Sequence, residues 1–270
     1  MKSDTLISSR DIVLDYAEQG RRLGTPVIFL HGFTDSRRSF DRIMLRLPAS
    51  IHAIAVSMRG HGDSTRPPEG YAPADFAADI AALMDRLELK DALIVGHSMG
   101  AAVAQCFALD FPGRTRGLVL VSSFFGFKDH AVVGDFWKSV VSTLSDPVDP
   151  LIVRDFQMST ISRSVPPVFL NTIIRESLKV PAEVWKTTLK SLMDSALHQE
   201  LHRIQAPTLL VWGERDLFVS RTDQEALLAA IRSARLSVYA GVGHAPHWED
   251  PERFARELLH FVLQLRTKEV

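Results

Sequence analysis

The pentapeptide G-H-S-M-G at residues 96–100 constrains this chain more than any other segment. It follows a β-branched and apolar run, L-I-V at 93–95, which is typical of a buried strand. It precedes a run of small residues that suits a closely packed helix. A strand, a sharp turn and a helix around G-x-S-x-G predict a nucleophile elbow that holds Ser98 in a strained conformation. The flanking glycines leave room for that turn, and the helix directs its first N–H groups to it.

A serine hydroxyl is a weak nucleophile, so it needs a general base, and the base needs an acid that orients it. Two further segments supply candidates. The run T-L-L-V-W at 208–212 predicts a buried strand, and Asp216 lies in the turn just after it. The alternating run at 236–239 predicts another strand, followed by His244. Ser98, Asp216 and His244 therefore occur in the chain order expected of an α/β-hydrolase arrangement.

Neighbouring residues compete for two of these roles. Asp129 and Asp223 are alternative acids, but the W-G-x-x-D ending of the 208–212 strand favours Asp216. His247 is an alternative base, but His244 comes first after its strand. We therefore predict Ser98, Asp216 and His244 as the catalytic residues.

Five segments in order carry a resemblance to a known family. They are H-G-F at 31–33, R-G-H-G-D-S at 59–64, the elbow, W-G-E-R-D at 212–216, and G-H at 243–244 followed by E-D-P at 249–251. From about Asp11 to about Leu265 the chain resembles the α/β-hydrolase fold superfamily, in its small, capped, serine esterase-like branch. The resemblance implies an α/β fold, with a mainly parallel, doubly wound sheet flanked by helices and a helical cap inserted into it.

The resemblance also implies roles for further residues. The backbone N–H groups of Phe33 and Met99 would form the oxyanion hole. The aromatic residues of the cap indicate a largely apolar pocket, and His31, Trp137 and Trp185 are candidates for contacts with substrate. One position departs from the family pattern, because Ser57 stands where many relatives have an acid before Arg-Gly. That departure leaves open how the loop at 57–60 is hydrogen-bonded.

Hydrophobic periodicity places the other elements. Strands are predicted at 26–30, 51–56 and 117–121, and helices at 73–87 and 254–265. Between 124 and 201 the strand signal disappears, and Pro-containing breaks separate four helical pieces at 134–144, 150–159, 167–179 and 182–195. We therefore predict a discontinuous core, residues 1–123 and 202–270, with residues 124–201 as the cap.

Composition excludes several classes. A net charge of −1 gives no reason to expect nucleic acid or an anionic membrane as partner. A single cysteine, Cys106, excludes an internal disulfide. No apolar run approaches the ~20 residues that span a membrane, and residues 1–10 contain no apolar core of signal-peptide length, so we expect a cytoplasmic protein. The ten histidines show no zinc-site spacing, and we expect no metal and no cofactor. The oligomeric state does not follow from the sequence.

These features favour a serine hydrolase that cleaves a carboxylic ester of a small, largely apolar molecule through an acyl-enzyme. Lactones, amides, thioesters and certain C–C bonds can be cleaved by similar groups and are alternatives. Two further alternatives are a hydrolase-like ligand receptor or signalling regulator that keeps the three residues, and a cofactor-free perhydrolase. Related dehalogenases and epoxide hydrolases use an aspartate where this chain has Ser98, which argues against both.

Overall fold

The computed structural model describes residues 2–7 and 12–266, with side chains described for 12–265. The predicted core comprises residues 1–123 and 202–270, and its first and last residues lie outside the described residues. Asp11, where the resemblance starts, lies outside them too. The described strands form one sheet of eight in the order β1-β2-β4-β3-β5-β6-β7-β8, in which β2 is antiparallel to both of its neighbours and all other pairs are parallel. The strands are β1 (Lys2–Ile7), β2 (Val13–Gln19), β3 (Thr25–Leu30), β4 (Ile51–Val56), β5 (Ala92–His97), β6 (Thr115–Val121), β7 (Thr208–Gly213) and β8 (Ala234–Tyr239).

Helices cover both faces of the sheet because its strands are apolar on both sides. Along β3, Ile28 and Leu30 join one hydrophobic cluster, whereas Val27 and Phe29 join the other. Helices α2, α3 and α8 pack in the first cluster, and α1 and α10 pack in the second. This arrangement confirms the predicted fold class. The α-helices are α1 (Asp41–Met44), α2 (Pro73–Arg86), α3 (Met99–Asp110), α4 (Ala131–Ser139), α5 (Pro150–Ser159), α6 (Pro167–Ser177), α7 (Ala182–Asp194), α8 (Arg221–Ala230), α9 (Pro246–Glu249) and α10 (Pro251–Arg266).

Two details differ from the sequence prediction. The prediction does not include β1 and β2, whose antiparallel pairing extends the sheet beyond β4. Helix α4 ends at Ser139 rather than at 144, because Val140 leaves the helical region with φ −127° and ψ −68°, and a short 3₁₀ turn, Val141–Thr143, follows. The β-branched pair at 140–141 favours such a break, since Val loses side-chain freedom in a helix.

The loop at 57–60 obtains its acid from a neighbouring strand. The carboxylate of Asp15, on β2, accepts a hydrogen bond of 3.0 Å from the Ser57 hydroxyl and one of 2.9 Å from Arg37 Nε. The Asp15 backbone is also bound, since its carbonyl oxygen accepts from the Ser57 N–H at 2.8 Å. Ser57 thus contacts a buried carboxylate without carrying one.

The segment between β6 and β7 contains α4, α5, α6 and α7, and the described residues there include no strand. The helices are therefore inserted between two neighbouring parallel strands of the sheet. The division into a core and a cap at residues 124 and 201 stays a prediction. We call residues 124–201 the helical insertion.

Candidate active site

Ser98 lies on a strained turn between β5 and α3. Its backbone has φ +52° and ψ −113°, a conformation that side-chain-bearing residues rarely adopt. The turn is possible because Gly96 and Gly100 have no side chains. A Cβ atom on Gly96 would lie 2.1 Å from the Gly100 carbonyl oxygen, and one on Gly100 would lie 2.2 Å from the Leu30 carbonyl oxygen.

Asp216 and His244 are joined by a paired contact. His244 Nδ1 lies 2.9 Å from Oδ1 and 2.8 Å from Oδ2 of Asp216, whose side chain is fully buried. A carboxylate is only an acceptor, so Nδ1 carries the proton and Nε2 is left with its lone pair. His244 and Ser98 face the same pocket. The imidazole can therefore take a proton through Nε2 while Asp216 stabilises the resulting cation.

The loop after β7 fixes the Asp216 carboxylate. Its Oδ1 accepts hydrogen bonds from the backbone N–H groups of Phe218 at 2.8 Å and Val219 at 3.0 Å. The Val219 carbonyl oxygen in turn accepts from the Trp212 indole N–H at 2.9 Å. Three donors, including His244, therefore hold the ionised form of the acid in one orientation.

The competing residues lie elsewhere. His247 is fully buried and stacks on Phe40, its Nε2 is 3.1 Å from the Ser39 hydroxyl, and burial lowers its pKa to about 3. Asp223 caps helix α8 through a reciprocal pair of hydrogen bonds with Ser220. Asp129 is exposed in a turn with φ +58°. The structure thus brings together Ser98, Asp216 and His244, and separates the alternatives from them.

The pocket beside Ser98 is almost entirely apolar. Its empty volume, including the open mouth, is about 450 Å³. Met99 begins α3, so its N–H has no partner within that helix, and Phe33 N–H belongs to the loop after β3. Much of the wall comes from α4, α5 and α7 of the helical insertion. The lining residues are Phe33, Ser98, Met99, Phe124, Phe127, Val133, Phe136, Phe156, Leu189, Leu192, Phe218 and His244.

The three candidates for substrate contact are not among these lining residues. His31 is fully buried and accepts a hydrogen bond at Nε2 from the Met58 N–H, 3.0 Å away, while Nδ1 lies 2.8 Å from the Gly32 carbonyl oxygen. Trp185 is fully buried behind Phe33, with their rings edge to face at 5.2 Å. Trp137 is half-buried and packs against the main core. The structure therefore places all three outside the pocket lining.

The sequence analysis missed a buried polar contact between the loop after β3 and α5. The Gln157 side-chain amide donates to Asp35 Oδ1 at 3.0 Å and to the Ser177 hydroxyl at 2.8 Å. Burial raises the pKa of Asp35 to about 7, although hydrogen bonds from Gln157 and Ser39 oppose the shift. The polar run T-D-S at 34–36, directly after H-G-F, is a signal for this contact, because polar residues at a buried loop need partners.

A second missed residue joins the His244 loop to the helical insertion. Glu249 Oε1 accepts from the Gly243 N–H at 2.9 Å, and Oε2 accepts from the N–H groups of Ser162 at 3.0 Å and Arg163 at 2.6 Å. Burial raises the pKa of this carboxyl, and the three backbone donors oppose that shift. Glu249 belongs to the E-D-P segment at 249–251, so the sequence marks the position but not its partners.

Two further features are absent from the described residues. Within residues 2–7 and 12–266, no three His, Cys, Asp or Glu side chains are grouped as metal ligands would be. In the same part of the chain, no helix combines the length and the apolar character that crossing a bilayer requires.

Known sequences are similar to most of this chain. A family model described as the alpha/beta hydrolase family matches residues 27–257. A non-heme chloroperoxidase from Streptomyces lividans is 28% identical over 276 aligned residues, which cover 96% of this chain and 99% of that protein.

Solved structures show the same fold. An esterase from Exiguobacterium antarcticum superimposes with a TM-score of 0.87 at 21% identity, covering 97% of this chain and 99% of that chain. An esterase from Rhodococcus sp. ECU1013 superimposes with a TM-score of 0.84 at 25% identity, covering 98% of this chain and 100% of that chain. At such identities the likeness concerns the fold, so the chemistry has to be argued from the site itself.

Proposed function

The chain belongs to the alpha/beta hydrolase family, and from that premise we propose that it is a serine hydrolase that cleaves a carboxylic ester of a small, largely apolar molecule. One observation carries the proposal. The Asp216–His244 pair, bonded at 2.8 and 2.9 Å, faces the same pocket as Ser98 on its strained turn. A nucleophile, a base and an acid that orients the base are the groups that acyl transfer requires.

The chemistry follows from these positions. Ser98 Oγ attacks the acyl carbon and gives its proton to His244 Nε2. The N–H groups of Phe33 and Met99 donate to the oxyanion, and each such donor contributes about 3 kcal/mol in comparable sites. His244 then protonates the leaving alcohol, and an acyl-enzyme is left on Ser98. Water attacks that ester in the same way, passes its proton through His244 to Ser98, and releases the acid.

The pocket supports an apolar acyl group. Phe124, Phe136, Leu189 and Leu192 are among its walls, and polar lining groups are confined to the reacting residues Ser98 and His244. The helical insertion supplies most of these walls, which agrees with a cap over the site. An apolar acyl chain that enters this pocket leaves water, which favours its binding.

Substitution of Ser98 tests the proposal. Ser98→Ala should lower kcat for a short-chain p-nitrophenyl ester by at least about 10⁴-fold, because the three residues act as a unit. A fluorophosphonate probe should label Ser98. Ser122→Ala is a matched control, since Ser122 is a buried serine that also has a positive φ, +46°, and its hydroxyl has no hydrogen-bond partner among the described residues. Labelling of another residue, or full activity of Ser98→Ala, would refute the assignment.

A second candidate activity is perhydrolysis, in which hydrogen peroxide replaces water at the acyl-enzyme. The similarity to a protein named non-heme chloroperoxidase supports it. Bromide oxidation in the presence of peroxide and acetate would detect it, since the peracid product oxidises the halide. Parallel panels of lactones, amides and thioesters would identify the bond that the same residues cleave best.

A further inference from the structure

A groove opens on the helical insertion, lined by α4, the 3₁₀ turn after it, α5 and the loop after β7. Its empty volume, including the open mouth, is about 840 Å³. Its lining residues recur at i, i+3, i+4 and i+7 from position 136 and again from position 152, so one stripe of each segment faces the space. We call it the outer groove, and its lining residues are Phe136, Ser139, Val140, Thr143, Ile152, Asp155, Phe156, Ser159 and Phe218.

Three phenylalanine rings line both the outer groove and the apolar pocket. They are Phe136, Phe156 and Phe218. Phe136 and Phe156 stack with ring centroids 5.2 Å apart, and the Phe156 centroid is 6.2 Å from that of Phe218. The Phe218 centroid is in turn 5.0 Å from that of His244. In the proposed function His244 protonates the leaving alcohol, so the alcohol part of a long ester can extend towards this groove.

The hydroxyl groups of the outer groove offer hydrogen-bond acceptors. Ser139, Thr143 and Ser159 each donate to a backbone carbonyl oxygen three or four positions earlier, at 2.6, 2.8 and 2.6 Å. A hydroxyl has one proton, so its lone pairs are what remain for a ligand. A molecule in the groove would therefore meet these side chains as a donor.

Asp155 gives the outer groove a negative charge. The residue is exposed, and its carboxylate has no hydrogen-bond or ion-pair partner among residues 12–265. No lysine, arginine or histidine is among the lining residues. Aromatic rings also attract cations. The groove thus combines apolar walls with one free carboxylate and three acceptor hydroxyls, which suits an apolar chain that carries a positively charged N–H donor.

On the basis of the proposed function, we propose that the outer groove binds the alcohol part of the ester and selects amino alcohols, in which an apolar chain ends in an ammonium group. The acyl part occupies the apolar pocket, the chain passes the three rings, and the ammonium group meets Asp155. Asp155 is then a specificity-determining residue that takes no part in bond making. It acts on kcat/KM and not on deacylation, because the alcohol has left by that step.

Matched pairs of acetate esters test this assignment. The ω-aminoalkyl acetates from aminobutyl to aminooctyl are each compared with the alkyl acetate in which a methyl group replaces the ammonium group. The measured quantity is the ratio of kcat/KM for the charged ester to that for its neutral match. Asp155→Asn should lower the largest ratio in the series by roughly three- to tenfold, since a cation about 4 Å from a carboxylate gains that much even in water. Asp155→Glu should keep the ratio within about twofold, and added salt should reduce the difference between Asp155 and Asn.

Asp135→Asn is the matched control. Asp135 is an exposed aspartate of α4 that does not line the groove, so its substitution makes the same change in net charge and should leave the ratio unchanged. Methyl acetate has an alcohol part too short to reach Asp155, and its kcat/KM should change less than about twofold in every variant. An unchanged ratio in Asp155→Asn, or an equal fall in Asp135→Asn, would overturn the assignment. Hydrolysis of methyl acetate but of none of the longer esters would overturn it too. Failure of the unsubstituted enzyme to hydrolyse any acetate would instead refute the proposed function.

Discussion

At the scale of single residues, His244 and His247 show how environment separates two identical side chains. They lie three positions apart, and both are buried. His244 is bonded to a carboxylate and faces the pocket, whereas His247 contacts the Ser39 hydroxyl and the Phe40 ring. Only the first arrangement can stabilise an imidazolium. The two residues should therefore respond differently to the same substitution.

His244→Gln should lower kcat by at least about 10⁴-fold, because no base remains for Ser98. His247→Gln should change kcat by less than about tenfold but should destabilise the protein by roughly 1–3 kcal/mol, since the stacked ring is lost. Steady-state kinetics and urea unfolding of both variants would measure this. If His247→Gln proved inactive while His244→Gln turned over, the roles would be reversed.

At the scale of elements, two helical glycines have opposite surroundings. Gly100 lies in α3 against the carbonyl oxygens of Leu30 and His31, at 2.2 and 2.6 Å from a Cβ built on it. Gly134 lies in α4, and a Cβ there would meet nothing within 4 Å. The close approach of α3 to β3 therefore depends on glycine, while α4 has no such requirement.

Gly100→Ala should destabilise the fold by about 3 kcal/mol or more, because the clashing atoms belong to the backbone of β3 and cannot rotate away. Gly134→Ala should stabilise it by about 0.5–1 kcal/mol, since alanine loses less entropy than glycine in a helix. Chemical unfolding of both variants gives the two values. Equal effects would show that the packing of α3 on β3 is looser than described.

The helical insertion should set the preference for acyl length. Each methylene buried in the pocket adds about 0.8 kcal/mol, or about fourfold in kcat/KM, until the pocket is full. Leu189→Ala removes part of the wall and should move the optimum to longer chains by about two or three carbons. Leu178→Ala, at a leucine of the insertion that is 39% exposed and outside the pocket, should not move it. A series of p-nitrophenyl esters measures the profile, and a profile identical in all three proteins would contradict the pocket assignment.

At the scale of the whole molecule, buried titratable groups set the pH dependence of stability. Burial lowers the pKa of His61 to about 4 and that of His247 to about 3, and holds those of His31 and His97 well below their usual value. The unfolded chain protonates these rings near pH 6.5, so below that pH it binds more protons than the folded chain. Asp35 acts oppositely, because its raised pKa lets the folded chain hold a proton between about pH 7 and pH 3.8.

Stability should therefore be greatest near neutral pH and should fall as the pH falls below 6.5. Each buried histidine adds up to about 1.4 kcal/mol per pH unit to the slope of the unfolding free energy against pH. His247→Gln should reduce the slope of unfolding free energy against pH by that amount between pH 6 and pH 4. His202→Gln, at an exposed position, should leave the slope unchanged. Urea unfolding at several pH values measures it, and a slope unaffected by His247→Gln would mean that the ring is charged in the folded protein.

The sequence by itself determined the fold class, the elbow around Ser98 and the positions of Asp216 and His244. These depend on hydrophobic periodicity and turn residues, which act over a few neighbouring positions. Its prediction of helix α4 ended five residues too late, since hydrophobic periodicity does not record the break that the β-branched pair at 140–141 favours.

Only the tertiary structure decided which groups meet. Asp35 and Gln157 are 122 positions apart and form one hydrogen bond, and Asp15 supplies the acid that Ser57 lacks. The structure also placed Trp185 behind the pocket wall and Leu189 in it. Such contacts depend on how whole helices pack against the sheet, and packing joins residues whose separation along the chain carries no local signal.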